Sequence, residues 1–145
     1  VLKRELLYIP FFGWGLAMPS PIAIARASGM AALKQMLEQG KDRLKQGFWI
    51  VIFPEGTRIA LGKKSKYHVG GAWLATHTGA PVVPVAHNAG EFWGKNSFIK
   101  LPGTITVSIG APIDPAGMKP GELNARVEAW IEAEVARIGS SGVDG

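Results

Sequence analysis

The sequence predicts an α/β fold in which a largely parallel or mixed sheet is covered by helices on both faces. Three observations carry this reading. Short uncharged runs rich in β-branched and aromatic residues recur: FWIVIF at 48–53, PVVPVAH at 81–87 and TITVSI at 104–109. Helical periodicity occupies 28–46, 70–78 and 120–138. The first two runs are apolar without alternation, the pattern of strands buried on both faces. Helices alternating with such strands place ligands beyond the carboxyl ends of the strands.

In chain order, the first feature is LLYIPFFGWGLAMPSPIAIA at 6–25, which holds no charged residue across 20 positions. Its length suits a membrane span, but Pro10, Pro19 and Pro21 each remove an N–H and crowd the preceding turn. Two readings remain open ahead of a spanning helix. One is a buried loop leading into a short strand near 22–25. The other is an interfacial segment in which Phe11, Phe12 and Trp14 dip into a membrane boundary. Ser28 suits the cap of the next helix, with Leu33, Met36, Leu37 and Leu44 on one face, Gly40 weakening its centre and Gly47 ending it. The run 48–53 reads as a fully buried strand. The short helix at 70–78 stops at Gly79. In the strand at 81–87, Pro84 fits only at an edge or bulge. The strand at 104–109 alternates more cleanly. The final helix carries an apolar stripe of Leu123, Val127, Trp130, Ile131, Val135 and Ile138, with Glu128, Glu132 and Arg137 outside. No repeat or linker is visible, so one domain over 1–138 with a flexible tail at 139–145 is expected.

At 145 residues, 47% hydrophobic and 19% charged, the chain has the composition of a globular domain. It contains no cysteine, which excludes disulfides and thiolate metal sites. His68, His77 and His87 lack zinc-like spacing, so no metal is expected. The net charge of +5 is uneven: residues 1–70 hold 11 basic and 4 acidic side chains, the remainder 5 and 7. A basic first half favours a phosphate or lipid headgroup, or else reflects a solvated surface. No zinc-finger, RRM-like or KH-like signature occurs, so nucleic acid is not an expected partner. No basic leader, apolar core and cleavage site open the chain, which argues against a signal peptide. Val1 in place of Met reads as a chain entered partway through an element.

FPEGTR at 53–58 stands at the end of the first apolar run. Pro-Glu-Gly-Thr is an ordinary turn composition, and a strand end needs a turn. Arg58, close to Lys63, Lys64 and Lys66, points further. A guanidinium fork beside a glycine-containing loop suits a phosphate, with Glu55 placed to orient the Arg or hold a substrate hydroxyl. A P-loop is excluded by count: five residues separate Gly56 from Gly62, and Lys63 is followed by Lys64 instead of Ser or Thr.

FPEGTR, with VPVAH at 83–87 about thirty residues on, resembles the glycerolipid acyltransferases, above all the 1-acyl-sn-glycerol-3-phosphate acyltransferases. The opening KREL-x-x-I-P-F-F-G at 3–13 is similar to the segment preceding that family's second motif. The segment ending IAR at 24–26 is similar to the motif itself, with Ala25 standing where the family carries an acidic residue and Arg26 retained. Four ordered motifs extend the likeness from the first residues to TITVSIGAPID at 104–114, most of the chain.

The resemblance implies a glycerol-3-phosphate acyltransferase-like fold and acyl transfer from acyl-CoA or acyl carrier protein to lysophosphatidic acid, giving phosphatidic acid. No cofactor is implied beyond that acyl donor. By analogy Arg26 and Arg58, with Lys3, bind the phosphate; Glu55, Gly56 and Thr57 shape the glycerol site; Pro84 belongs to the fourth motif. The implied location is a membrane surface on the cytoplasmic side. The family's general base is a His in His-x-x-x-x-Asp, with the Asp orienting the ring so that the substrate hydroxyl attacks the thioester directly. Five positions after His68, His77 and His87 stand Trp73, Val82 and Phe92, so these 145 residues hold no such dyad and no catalytic residue is assigned. The expectation is a chain that binds substrate without turnover and tends to self-associate through uncovered apolar surface. A non-catalytic module for phosphate or anionic lipid, and an acyltransferase for another glycerolipid acceptor, are the competing readings.

Overall fold

A computed structural model describes residues 2–3, 23–24 and 29–140. The chain divides into two compact units, Val1–Phe53 and Pro54–Gly145.

In the first unit β1 (Leu2–Lys3) pairs in parallel with β2 (Ala23–Ile24), Leu2 opposite Ala23 and Lys3 opposite Ile24. β2 matches the short strand expected near 22–25; the rest of 6–22 lies outside the described residues. Against β2 lies α1 (Met30–Lys45). Its cap position is Gly29, at φ 48°, rather than Ser28, and no side chain caps it. A backbone with positive φ favours the residue without a Cβ. The buried positions Ala32, Met36 and Gly40 repeat every four residues, so one narrow stripe is covered and Leu33, Leu37 and Leu44 are only half-buried. Gly40, read from sequence as a weak point, belongs to the packed stripe. The C-terminus closes in a Schellman motif: Phe48 N–H donates to Arg43 O at 3.0 Å and Gly47 N–H to Leu44 O at 3.0 Å, with Gly47 at φ 80°. Arg43 and Lys45 in the last turn complement the helix dipole.

Residues 48–53 do not form the expected buried strand. They are irregular, and Trp49 is 86% exposed, with Val51 and Phe53 also open. β-Branched and aromatic content marks a segment suited to a sheet, but a strand exists only with a neighbour beside it. The described strands find their partners elsewhere.

The second unit opens on a loop, 54–69, whose base is closed by the His68 N–H donating to Pro54 O at 2.8 Å. α2 (Gly70–Thr78) follows and stops at Gly79, whose φ of 72° lets its N–H reach Ala75 O at 2.9 Å. β3 (Val85–His87) and β4 (Val107–Ile109) pair antiparallel, with Val85, Ala86 and His87 opposite Ile109, Ser108 and Val107. Val82 and Ile113 add an isolated bridge. Both strands are shorter than the expected 81–87 and 104–109. Pro84 explains one end: it has no N–H for the ladder, and only its carbonyl is used, accepting from Gly110 N–H at 2.9 Å. Among the described residues the sheets are therefore one parallel and one antiparallel pair, not one broad parallel sheet.

A short helix, α3 (Ala89–Phe92), leaves the end of β3, and α4 (Pro120–Ser140) ends the unit, running past the expected stop at Ile138. α4 packs on α2 and on β3. The core joins Ala72 and Ala75 of α2, Ile113 and Leu123, flanked by Val82, Met118 and Val127. Leu123 is fully buried. Gly110 lies so close to Trp130 that a Cβ there would stand 2.7 Å from its Cζ2 and 2.9 Å from Pro84 Cγ. The stripe expected on α4 is partly displaced: Val135 is exposed, whereas Glu132 is half-buried with a partner of its own.

Candidate acceptor site

The hexapeptide straddles the boundary between the two units, Phe53 on one side and Pro54 on the other. Gly56 takes φ 69°, which an L side chain rarely adopts, so the turn needs glycine there. A second left-handed glycine, Gly62 at φ 72°, forms a tight turn in which Lys63 N–H donates to Ala60 O at 3.1 Å.

The far end of the loop is anchored by Tyr67, one of the most buried side chains of the unit. Its hydroxyl donates to Glu132 Oε1 on α4 at 3.3 Å, and its carbonyl accepts from Asn124 Nδ2 at 3.4 Å. Lys64 Nζ approaches the other Glu132 oxygen at 3.6 Å. Burial, with the charge of Glu132 second, pushes the Tyr67 phenol well above its ordinary range, so it stays a donor at any working pH. Glu55 is half-buried and its pKa is raised, first by burial and then by Glu132, while His87 works in the opposite direction. Glu55 of the loop thus lies near the Glu132 carboxylate of α4, while Arg58, Lys63, Lys64 and Lys66 are all exposed.

Arg58 is positioned by an aromatic neighbour. Its Cζ lies 4.6 Å from the centroid of the Trp93 ring, and Lys100 Nζ lies 4.7 Å from the same centroid. A guanidinium over an indole face is held by the ring's negative potential, and its fork of N–H donors suits an anion. Thr57 is exposed beside it. Pro84 is buried under Trp130 and Gly110 and serves packing. Arg26 lies outside the described residues, and Lys3 is described only as a backbone member of β1. Two of the histidines have local ring contacts: His77 Nδ1 lies 2.7 Å from the Trp73 carbonyl with the rings 4.1 Å apart, and His87 Nδ1 accepts from Ala89 N–H at 3.3 Å. Among the described residues no group of three or more His, Asp or Glu is arranged to hold a metal ion.

Four contributors escaped sequence reading: Trp93, Lys100, Tyr67 and Glu132. Trp93 and Lys100 carry a local signal, an indole followed by lysines in WGKNSFIK, but their pairing with Arg58 spans thirty-five or more residues. Glu132 looked like a solvent-facing charge because its partner, Tyr67, comes from 65 residues away.

The chain belongs to the acyltransferase family, whose description matches residues 1–88. Its relatives within the family are 1-acyl-sn-glycerol-3-phosphate acyltransferases. The one from Pseudomonas aeruginosa is 52% identical over 141 residues, 95% of this chain and 55% of the relative. The one from Cocos nucifera is 30% identical over 88% of this chain and 42% of the relative. The crystal structure of the 1-acyl-sn-glycerophosphate (LPA) acyltransferase, PlsC, from Thermotoga maritima superposes with a TM-score of 0.74 at 29% identity, over 94% of this chain and 55% of that one. The chain therefore spans about half the length of the relatives it matches.

Proposed function

We propose that this chain forms the acceptor-binding part of an enzyme that acylates lysophosphatidic acid to phosphatidic acid, with acyl-CoA or acyl carrier protein as donor. The observation that carries the reading is Arg58: exposed, stacked on Trp93, and placed in a glycine turn of a chain whose relatives are named for this reaction. In the proposed complex the Arg58 fork binds the acceptor phosphate, joined by Arg26 and Lys3, while Glu55, Gly56 and Thr57 border the glycerol. Transfer itself requires a base to take the hydroxyl proton as its oxygen attacks the thioester carbonyl and the thiolate leaves. The 145 residues contain no His-x-x-x-x-Asp to supply it, so this chain by itself binds without turnover. The same fact favours a second reading, a module that holds a phosphate or anionic lipid without chemistry.

The proposed location is a membrane surface on the cytoplasmic side. No helix among the described residues is long and apolar enough to cross a bilayer. An acyl-transfer assay with lysophosphatidate and acyl-CoA tests the chemical part. Phosphatidic acid should stay at background; formation that Arg58→Ala abolishes would overturn the claim of binding without turnover. Saturable lysophosphatidate binding, lost in Arg58→Ala, supports the acceptor site, and equal binding by the variant would remove it.

A further inference from the structure

The segment that follows α3 is built to face a lipid surface. Phe98 is fully exposed, Ile99 is 72% and Leu101 58% exposed, and Trp93 is nearly half open. Three large apolar side chains crowded at one loop tip are unusual on a surface that meets only water. Nor is the tip a frayed one. Leu101 N–H donates to Phe92 O at 2.8 Å and closes the loop; Trp93 Nε1 donates to Ser97 O at 2.8 Å; Ser97 Oγ accepts from Ile99 N–H at 3.1 Å and donates to Ile99 O at 3.0 Å. Asn96 at φ 59° makes the reversal. These bonds satisfy the loop internally and leave Phe98 and Ile99 pointing away from the unit.

The surroundings of the tip are cationic. Lys95 and Lys100 lie within the loop, and Arg58 and Lys100 both stand over the Trp93 ring. Two cations at one indole repel each other, and among the described residues no carboxylate pairs with either. An anionic headgroup supplies the missing counter-charge. Indole rings favour the boundary between headgroups and acyl chains, and lysines beside an apolar tip reach anionic phosphates while their stems stay with the apolar side.

The geometry points to the loop 93–101 as a membrane-contact element for an anionic bilayer, with Phe98, Ile99 and Leu101 entering the acyl boundary and Lys95 and Lys100 at the phosphates. Through the shared Trp93 ring it sets Arg58 at headgroup depth, where a lysophospholipid presents its phosphate. This inference rests on the proposed membrane association and gives it a residue-level location, distinct from the apolar segment 6–25.

The chain has no cysteine, so Phe98→Cys offers a single thiol for an environment-sensitive fluorophore, with Ala125→Cys on the exposed side of α4 as the control. Vesicles of phosphatidylcholine containing phosphatidylglycerol should shift the emission of the label at 98 to the blue and leave the label at 125 unchanged. Raised salt should reverse the shift. Adding Lys100→Glu should weaken vesicle partitioning by roughly tenfold or more. Co-sedimentation with an unshifted label at 98 would overturn the loop's role while leaving membrane association standing. Failure to sediment would overturn both. A shift produced by inorganic phosphate, or by protein concentration without vesicles, would assign the loop to a free anion or to a second copy and also overturn the proposal. Lysophosphatidate binding by the same unlabelled protein reports on the acceptor site separately.

Discussion

Glu55 sits in a conflict that its neighbours create. Burial and the Glu132 carboxylate both disfavour its charge, and His87 relieves only part of this. A raised folded pKa means that the stability linked to this group is fully present below its ordinary value of 4.5 and is lost as the pH rises through the folded value. Glu55→Gln cannot ionise, so it should melt higher than the parent at neutral pH, by roughly 2 °C once solvent screening of a half-exposed group is allowed for. At acidic pH the two curves should coincide. A difference that is the same at both pH values would show that the effect is packing, not charge.

At the scale of elements, the loop 54–69 depends on α4. Tyr67→Phe keeps the ring in its buried site and removes only the donor to Glu132. At 3.3 Å the bond is a long one, so a loss of about 1 kcal/mol is expected in urea unfolding. The same change should free Glu132 Oε1 and raise exchange of the His68 amide, which closes the loop base. An unchanged midpoint and unchanged exchange would show that the clasp does not hold the loop. Gly110→Ala tests the seam between β4 and α4. Its Cβ would meet the Trp130 ring at 2.7 Å and Pro84 Cγ at 2.9 Å, so a cost of about 1–3 kcal/mol is expected. A neutral substitution would mean that Trp130 moves freely.

How far the elements could be read from sequence divides along locality. α1, α2 and α4 announced themselves because spacing along the chain decides a helix face, and Gly47 and Gly79 terminate helices by their own backbone freedom. The strand expectations failed where partners were needed. Residues 48–53 have the composition of a buried strand, yet composition records what a segment suits, not what lies beside it. Pro84 shortened β3 as its missing N–H requires. The glycine turn of the hexapeptide was legible, whereas Trp93, Lys100, Tyr67 and Glu132 became visible as neighbours of the loop and its Arg58 only when distant segments were brought together.

At the scale of the whole molecule, four of the eleven basic side chains of residues 1–70 lie in one loop, Arg58, Lys63, Lys64 and Lys66, and Lys100 from the less basic half meets Arg58 over the Trp93 ring. One face of the β3–β4 pair leaves Val85, Val107 and Ile109 exposed. That uncovered sheet surface is the ground for expecting self-association: the sedimentation profile should broaden toward larger species as protein concentration rises, and a constant monomer profile would contradict it.

In the proposed complex Arg58 holds the phosphate monoester of a lysophospholipid as a fork, not as a point charge. The measurement is a titration of the protein and of Arg58→Lys with lysophosphatidate and with lysophosphatidylcholine. Binding should favour lysophosphatidate, and Arg58→Lys, although it keeps the charge, should weaken lysophosphatidate binding about tenfold and leave the choline lipid unaffected. Equal affinity for the two lipids, or an Arg58→Lys variant that binds lysophosphatidate as the parent does, would contradict it.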